Sequence, residues 1–401
     1  MTNIPKLAPR ASANPRVILN RRVGLALTAA ALTLGASACS SSGTKATGAG
    51  AAAPSSGASA SGDAVTAASA VIAKYRETSS NFIAPGPALD AKSLEGGSLY
   101  YVSLSQAIPV LGREQNGIKQ AADALGMTFH VCDGKFQPAL AAGCINQAVS
   151  AGAKGIFTDS IVISAVSNAV ANAATHHVPI VAVSSIGTDS KDISYRSNGD
   201  ELSHEVAANW LVADSGGKAN IIQTNVQDDT GANNDINVGS KPVFAKCSGC
   251  KVTTATYTAQ TVPGIPSLIS STLLKDRDAN YGFPQFDFLV PLFKSGVQTA
   301  SYTNKLKVVS TNAVLSSLQL VKSGGQAADA GSNRNYSGWA ATDTMARMLK
   351  GLAPGTYTVP VRLFDKTNVT SVTLTEAAAS SGEWFGSLDY QKDFQKLWGL
   401  N

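Results

Sequence analysis

The spacing of Cys247-Ser-Gly-Cys250 is one that redox centres and half-zinc sites use. A reactive CxxC motif needs its first cysteine at a helix N-terminus, where the helix dipole lowers the thiol pKa. This motif instead follows Val243-Phe-Ala-Lys246, at the end of a predicted helix, and precedes a predicted strand. Because the sequence has no second CxxC, a zinc ribbon is excluded, and the motif predicts a structural disulfide.

No other pattern in the sequence indicates catalysis or metal binding. His176 and His177 are adjacent, so their side chains point in different directions, and no carboxylate or cysteine lies at ligand spacing from them. The remaining histidines, His130 and His204, form no credible pair with a nucleophile. The sequence also lacks GxSxG, P-loop, HExxH and strand-linked GxGxxG motifs. We therefore predict a protein that is not an enzyme and that binds no metal or cofactor.

The N-terminus has the three parts of an export signal. Residues 1–38 contain basic residues and no acid, then the apolar run Val23–Leu34, then small residues. The apolar run is too short and too rich in alanine to span a bilayer permanently. Five of the 32 Lys and Arg residues lie in this segment, so the remaining 27 balance the 27 Asp and Glu. A neutral mature protein argues against a nucleic-acid partner.

Cys39 stands at the predicted cleavage point, in Gly35-Ala-Ser-Ala-Cys39, which resembles a lipobox whose cysteine carries the lipid. The match is imperfect, because Ala36 occupies a position where Leu is usual, and Ala36-Ser37-Ala38 also suits ordinary cleavage. We predict a lipoprotein on the outer face of the cytoplasmic membrane; the alternative is a freely secreted or periplasmic protein. Arg21-Arg22 permits a twin-arginine export route without requiring it. Residues 39–62, nearly all Ser, Gly, Ala and Thr, are predicted to be a disordered tether.

Four cysteines remain after Cys39, and an even number in an exported chain indicates disulfides. Four cysteines allow three pairings. The two close pairs, Cys132 with Cys144 and Cys247 with Cys250, are the economical choice.

Strands and helices alternate after a predicted N-terminal helical extension at residues 63–95. The predicted strands are 99–104, 127–132, 155–158, 178–184, 219–224, 251–257, 286–290 and 307–310, and the main helices are 110–125, 138–151, 164–176, 202–212, 235–246 and 265–275. Short apolar strands between helices of this length indicate βαβ units and parallel sheets covered on both faces. About 300 globular residues exceed one comfortable core, so two lobes are expected.

The order of these elements, with several short segments, resembles the type I periplasmic binding proteins, the ribose/galactose-binding-like receptors of ABC importers. The segments are Gln115–Gly126, Ala153–Ile156, His177–Val183, Gly338–Gly351, Val361–Val369 and Tyr390–Gly399. The resemblance implies an α/β fold of two doubly wound parallel-sheet lobes, joined by three crossover segments with the ligand cleft between them. Lobe 1 would take residues 96–198 and about 334–365, and lobe 2 would take 199–333 and about 366–401.

The implied function is capture of a small polar solute, a sugar, polyol or related metabolite, by hinge closure, followed by delivery to a membrane permease. The implied partners are that solute, the ABC transporter permease and the lipid anchor, and the implied state is a monomer. Ligands of open α/β sheets bind outside the carboxyl ends of the strands, so the site candidates are polar residues just past strand ends or at crossovers. These are Ser105, Gln106, Asp159, Ser160, Ser185, Asn198, Gln227, Asp228, Asn234, Asn312 and Asn333.

The same residue types also form turns and helix N-caps, and this is the alternative for each of them. The sequence departs from the family where sugar-binding members carry an aromatic pair, since Ser105-Gln-Ala-Ile-Pro109 has none. This places a standard hexose or pentose in doubt and leaves a polyol, cyclitol or modified sugar. Tyr336, Trp339 and Phe283 are candidates for stacking on a sugar ring, although core packing is the alternative for Trp339.

Two other functions remain open at this stage. A signalling receptor of the same fold would present the ligand to a membrane sensor instead of a permease. A secreted hydrolase would need a nucleophile–histidine pair, which the sequence does not supply.

Overall fold

The computed structural model describes residues 56–79, 82–303 and 305–400. Its strands are β1 (Ser98–Ser103), β2 (Thr128–Asp133), β3 (Gly155–Asp159), β4 (Ile180–Val183), β5 (Ile193–Arg196), β6 (Asn220–Val226), β7 (Lys251–Tyr257), β8 (Tyr281–Phe283), β9 (Lys307–Thr311), β10 (Ala328–Ser332) and β11 (Val361–Asp365). Its helices are α1 (Ser56–Arg76), α2 (Pro109–Ala124), α3 (Pro138–Ser150), α4 (Ser167–Thr175), α5 (Asp200–Asp214), α6 (Thr230–Asn234), α7 (Lys241–Ala245), α8 (Ile265–Lys275), α9 (Val290–Thr299), α10 (Leu315–Ser323), α11 (Arg334–Leu349), α12 (Glu376–Ser381) and α13 (Tyr390–Leu397). None of these described helices is long and apolar enough to cross a membrane.

Lobe 1 is built on a parallel sheet of five strands in the order β2-β1-β3-β4-β5. Successive residues of a strand face opposite sides, and here both sides are buried. Tyr101 and Phe157 face α2 and α11, whereas Val102 and Ile156 face α3 and α4. Pro109 and Pro138 stand at the first position of α2 and α3, where a proline loses no helical hydrogen bond.

Lobe 2 is built on a sheet of six strands in the order β11-β10-β9-β8-β6-β7, in which only β11 runs antiparallel to its neighbour. One face packs against α5 and α1, with Ile221 and Trp210 in the same apolar cluster. The opposite face packs against α8 and α9, where Ile222 contacts a cluster that includes Phe293. The predicted fold class of two α/β lobes is confirmed.

The chain passes between the lobes at residues 197–199, Asn333 and residues 350–360. The first two passages lie at the predicted lobe boundaries, whereas the third was predicted at about residue 365. It also connects them near both ends of the described chain. Helix α1 packs on α5 of lobe 2 before the chain reaches β1 of lobe 1, and the segment after β11 returns to lobe 1 as α13. The ion pair between Arg76 and Asp365, at 2.5 Å, fastens the end of α1 to β11.

The predicted lobe boundaries are wrong at the C-terminal end. Strand β11 was assigned to lobe 1, but it pairs with β10 of lobe 2, because it adds an antiparallel edge beside the last parallel strand. The tail after residue 366 is predicted for lobe 2, and its first part does pack there, with Val369 and Trp384 in one cluster with Leu318 of α10. Helix α13, in contrast, packs on lobe 1. The reason is the apolar face of α13: Phe394 and Trp398 lie against Trp339 of α11, with the two tryptophan rings stacked at 5.6 Å.

Three further local predictions need correction. Residues 286–290 form a short 3₁₀ turn that leads into α9, and the strand of this region is the shorter Tyr281–Phe283. The predicted helix 235–246 is divided into a π-helical turn at Asp235–Ser240 and α7. Helix α1 begins at Ser56, inside the predicted tether, because the alanine-rich sequence extends a helix that is anchored on lobe 2 by Ala68 and Ile72. The rest of the tether, the signal segment and Cys39 lie outside the described residues.

Both predicted disulfides are confirmed. Cys132 of β2 is bonded to Cys144 of α3, and Cys247 is bonded to Cys250 in the turn between α7 and β7. The CxxC motif is therefore a structural link after the end of a helix, as its position in the sequence predicted.

Candidate ligand-binding site

A cavity of about 440 Å³ lies where the carboxyl ends of the two sheets face each other. Ser160 and Ser185 reach it from the ends of β3 and β4 in lobe 1, and Asp228 and Asn312 reach it from the ends of β6 and β9 in lobe 2. Parallel strands bring their carboxyl ends to one edge of a sheet, so two facing sheets concentrate loop residues in a single cleft.

Three residues that follow strands at this edge have a backbone that is unusual for residues other than glycine. Ser160, Ser184 and Asn312 have φ angles of 56°, 56° and 101°, and all three line the cavity. Such angles cost free energy and occur at sites where the fold must turn the chain sharply around a ligand. The turns aim these residues into the cleft instead of continuing their strands.

Six of the predicted site residues line the cavity: Ser160, Ser185, Asn198, Asp228, Asn234 and Asn312. In lobe 1, Ser185 Oγ donates to the carbonyl oxygen of Ile161 at 2.9 Å, which steadies the loop after β4. Asn198, at the first crossover, donates a hydrogen bond from Nδ2 to Ser184 Oγ. Asn234 makes no side-chain hydrogen bond to any other residue of the described chain, which leaves its amide free for a ligand.

The other five predicted residues lie away from the cavity, and most have the turn or capping roles that compete with ligand binding. Ser105 Oγ accepts from the backbone of Ala107, and Asn333 Oδ1 accepts from the backbone of Tyr336 as the N-cap of α11. Gln106 donates to Ser103 Oγ at 2.7 Å, and Gln227 is exposed. Asp159 is fully buried beneath the site, where it accepts a hydrogen bond of 2.6 Å from the Tyr101 hydroxyl.

A buried guanidinium joins the two lobes at the wall of the cavity. Arg334, the first residue of α11, donates from Nη2 to both carboxylate oxygens of Asp200 at 2.6 Å, and Asp200 is the first residue of α5 in lobe 2. Its Nη1 lies 3.6 Å from the carboxylate of Glu114 on α2, and Nη2 donates to Asn312 Oδ1 at 3.3 Å. Burial by itself lowers the pKa of Arg334, but Asp200, Glu114 and Asp159 together raise it above its ordinary value. Burial, followed by repulsion from Asp159, raises the pKa of Glu114 to about 8.

Acidic side chains supply most of the charged groups of the lining. Besides Asp200, the described residues around the cavity include Glu201, Asp228, Asp229 and Asp235. Asp229 caps α6 by accepting from the backbone of Ala232 at 3.0 Å, and burial raises the pKa of its carboxyl. Burial, with repulsion from Asp200, Glu201 and Asp229, raises the pKa of Asp235 well above its usual range.

Aromatic side chains supply much of the apolar surface, although none belongs to the predicted first loop. The Phe286 and Phe288 rings stack with their centroids 5.9 Å apart, and Tyr257, Tyr195 and Phe136 complete the set. The residues proposed for stacking in the sequence lie elsewhere, with Tyr336 and Trp339 in the core of lobe 1 and Phe283 in the core of lobe 2.

The sequence contains a signal for the charged pair of Asp200 and Arg334. Asp200 and Arg334 lie one or two residues beyond Asn198 and Asn333, the positions predicted for two crossovers. Charges of opposite sign at two hinge crossings are suited to pair with each other. No comparable signal identifies Phe286 or Phe288, because their apolar segment favours a buried strand.

Among the described residues, no group of side chains outside the cavity indicates a catalytic or metal-binding centre. His176 and His177 are exposed at the end of α4, and His204 is buried against Phe283 and Phe286. No group of three or more His, Cys, Asp or Glu side chains in the described part of the chain is placed to hold a metal ion.

Comparison with known protein families identifies the family of the segment that contains most of both lobes. Residues 100–353 match the model of a periplasmic binding protein domain. No curated protein matches the chain.

Solved structures share the fold at low sequence identity. One is the solute-binding protein of a 5-methylthioribose transporter from Thermotoga lettingae in complex with 5-methylthioribose, with a TM-score of 0.64 and 16% identity over 77% of this chain and 99% of that chain. Another is an ABC transporter solute-binding protein from Agrobacterium vitis with α-D-tagatopyranose, with a TM-score of 0.62 and 19% identity over 69% and 97%. A third, also from Agrobacterium vitis, holds allitol, with a TM-score of 0.61 and 16% identity over 69% and 98%.

Proposed function

The chain belongs to the family of periplasmic binding proteins, and from this premise we propose that it is an exported receptor that captures a small polar solute and delivers it to an ABC importer. The observation that carries the proposal is the cavity between the lobes, which is lined from both sides by residues at the carboxyl ends of the parallel strands. The protein binds this solute without changing it chemically.

Binding closes the cleft. A solute that touches Ser160 and Ser185 in lobe 1 together with Asn234 and Asn312 in lobe 2 gains all of its contacts only when the lobes are together. The differential affinity for the closed state then shifts the population toward it. The permease would recognise the closed pair of lobes.

A sugar, polyol or related metabolite fits the lining. Amides of Asn198, Asn234 and Asn312 offer a donor and an acceptor in one plane, which suits neighbouring hydroxyls. The aromatic rings of Phe286 and Phe288 offer an apolar face to the carbon skeleton. The names of the similar structures, which describe 5-methylthioribose, allitol and tagatose complexes, agree with this class.

We further propose that residues 1–38 direct export and that Cys39 anchors the mature protein by a lipid on the outer face of the membrane. An extracytoplasmic location agrees with the family and with the two disulfides, which persist in oxidising compartments. The anchored protein would act as a monomer beside its permease.

A thermal-shift screen of the mature protein against sugars, polyols, amino acids and nucleosides tests the binding function. A ligand of the native state adds RT ln(1 + [L]/Kd) to stability, so a true ligand raises Tm in a concentration-dependent way. We expect shifts within the sugar and polyol group. Release of product from a chromogenic ester, without any ligand-induced rise in Tm, would contradict the proposal and favour a hydrolase.

A further inference from the structure

The charge of the cavity lining is strongly unbalanced. Five carboxylates line it, those of Asp200, Glu201, Asp228, Asp229 and Asp235, and among these described residues the guanidinium of Arg334 is the one basic group. Arg334 is already engaged by Asp200 through two hydrogen bonds of 2.6 Å. The space left for a ligand is therefore bordered by four further carboxyl groups that have no basic partner in the lining.

The other acids at the cavity, apart from Asp235, have protein partners. Glu201 accepts from the Ser197 hydroxyl at 2.6 Å, Asp228 accepts from the backbone of Ala259 at 3.2 Å, and Asp229 caps α6. These bonds explain why three of the carboxylates stand where they do, without a ligand.

Asp235 has no such explanation. It is 8% exposed and lines the cavity, yet within the described chain its carboxylate has no hydrogen-bond partner and no ion pair. It opens the π-helical turn Asp235–Ser240, and single π-helical turns are frequent at functional sites. Holding a carboxylate in a buried place beside Asp200 and Asp229, without a donor, costs free energy that a ligand with a suitable donor would recover.

An organic cation suits the carboxylates and aromatic rings of this cavity better than a metal ion does. The carboxylates are not grouped as a metal site within the described residues, and much of the remaining lining is aromatic or aliphatic. Phe286, Phe288 and Tyr257 border the same space, and aromatic faces attract an ammonium group as well as a carbon skeleton.

We propose that the solute carries a basic nitrogen, as an amino sugar or amino polyol does, and that Asp235 is its counter-ion. This inference rests on the proposed function and names its ligand class more closely. The protonated amine donates to Asp235, while Asn234 and Asn312 take the hydroxyls of the same molecule. A neutral sugar in this cavity would leave Asp235 without a charged partner.

Matched pairs of probes test the proposal by isothermal titration calorimetry on the mature protein. The pairs are D-glucosamine with D-glucose, D-galactosamine with D-galactose, and D-glucamine with D-sorbitol. We expect the amine of at least one pair to bind about 10- to 100-fold more tightly than its hydroxyl partner, as for a hydrogen bond between charged groups.

Asp235→Asn removes the charge and keeps the shape of the side chain, so it should abolish the preference for the amine. Asp278→Asn is the control, because Asp278 is exposed and lies outside the cavity lining. It should leave the preference intact.

The possible outcomes separate the inference from the function on which it rests. Neutral members that bind as tightly as the amines, or a preference that survives Asp235→Asn, would overturn the inference and leave the receptor function standing. Failure of every member of every pair to bind would count against the receptor function and, with it, against the inference. The comparison of probes on the unaltered protein does not depend on the folding of any variant.

Discussion

At the level of single residues, Arg334 carries the charge whose removal should destabilise the cleft most. It is 3% exposed and faces the carboxylates of Asp200 and Glu114, which come from different lobes. Removing one partner of a buried ion pair leaves an uncompensated charge, which is costlier than never having had the pair. Arg334 therefore stabilises the junction of the lobes as well as shaping the cavity wall.

We predict that Arg334→Ala lowers the free energy of unfolding by about 3–5 kcal/mol, because Asp200 and Glu114 remain buried near each other without a cation. Urea unfolding followed by circular dichroism measures the loss. The matched control is Lys119→Ala, which breaks an exposed pair with Asp123 and should cost less than about 0.5 kcal/mol. A double variant, Arg334→Met with Asp200→Asn, should recover part of the loss. Equal effects of Arg334→Ala and Lys119→Ala would contradict the role of Arg334.

Two polar residues predicted from the sequence make a matched test of the site. Asn234 lines the cavity without a protein partner for its side chain, whereas Gln227 lies outside the cavity and is exposed. Asn234→Ala should weaken solute binding by about 3- to 10-fold, as for the loss of one hydrogen bond, with little change in unfolding free energy. Gln227→Ala should change neither quantity. Calorimetry with the best ligand from the thermal-shift screen decides this, and equal effects of the two variants would remove Asn234 from the site.

At the level of elements, the ends of the strands determine where the site residues lie. The helices near the two chain ends, α1 and α13, pack against the lobes. The sequence predicted most strands because runs such as Val178–Ser184 are short, apolar and rich in β-branched residues. The same rule misplaced the eighth strand, because the aromatic run 286–290 looks more like a strand than Tyr281–Phe283 does. Strand propensity describes what a segment favours in isolation. In the folded chain, pairing with β6 and β9 makes Tyr281–Phe283 the strand.

The location of the site could be predicted from the sequence, but the chemistry of its lining could not. Ser160, Ser185, Asn198, Asp228 and Asn312 were identifiable because each follows a strand or lies at a crossover. Asn234 was predicted near the start of a helix, and the structure places it at the end of α6. Whether such a residue faces the cleft or caps a turn depends on backbone angles, such as the positive φ of Ser160, that one sequence does not reveal. The lobe assignment of β11 and α13 failed for a related reason, since both are fixed by contacts with segments distant in the chain.

We predict that α13 is required for the stability of lobe 1. Trp398 is fully buried, stacks on Trp339 at 5.6 Å and donates from Nε1 to Asp343 at 2.8 Å. Trp398→Ala should therefore lower the free energy of unfolding by about 3–5 kcal/mol, mainly through lost packing, together with one lost hydrogen bond to Asp343, which keeps its ion pair with Arg347. The control is Leu352→Ala, because Leu352 is 46% exposed and should cost much less. A loss no larger than that of the control would show that the tail is not part of the core.

At the level of the whole molecule, the lobes approach each other closely at one edge of the cleft. Gly231 of α6 in lobe 2 lies so near Ser184 of lobe 1 that an added Cβ would overlap the Ser184 carbonyl oxygen. Arg113 of α2 also reaches across, donating to the carbonyl oxygen of Ala313 at 2.9 Å. Both contacts join the two lobes directly.

We predict that Gly231→Ala weakens solute binding tenfold or more, equal to about 1.4 kcal/mol or above, because the new methyl group keeps the lobes apart. Each lobe retains its own core, so the unfolding free energy of the ligand-free protein should stay nearly constant or rise slightly. Gly143→Ala on α3 is the control, since no heavy atom lies within 4 Å of its added Cβ. Calorimetry gives the affinities and small-angle scattering gives the compaction on binding. Undiminished affinity of Gly231→Ala would mean that closure at this edge is not needed.

A crystal structure of the mature protein with its tightest-binding solute tests the receptor account most directly. The account predicts that the solute occupies the cavity between the lobes and touches both Ser160 or Ser185 of lobe 1 and Asn234 or Asn312 of lobe 2. A solute bound outside this cavity, or held by one lobe alone with the cleft open, would contradict it.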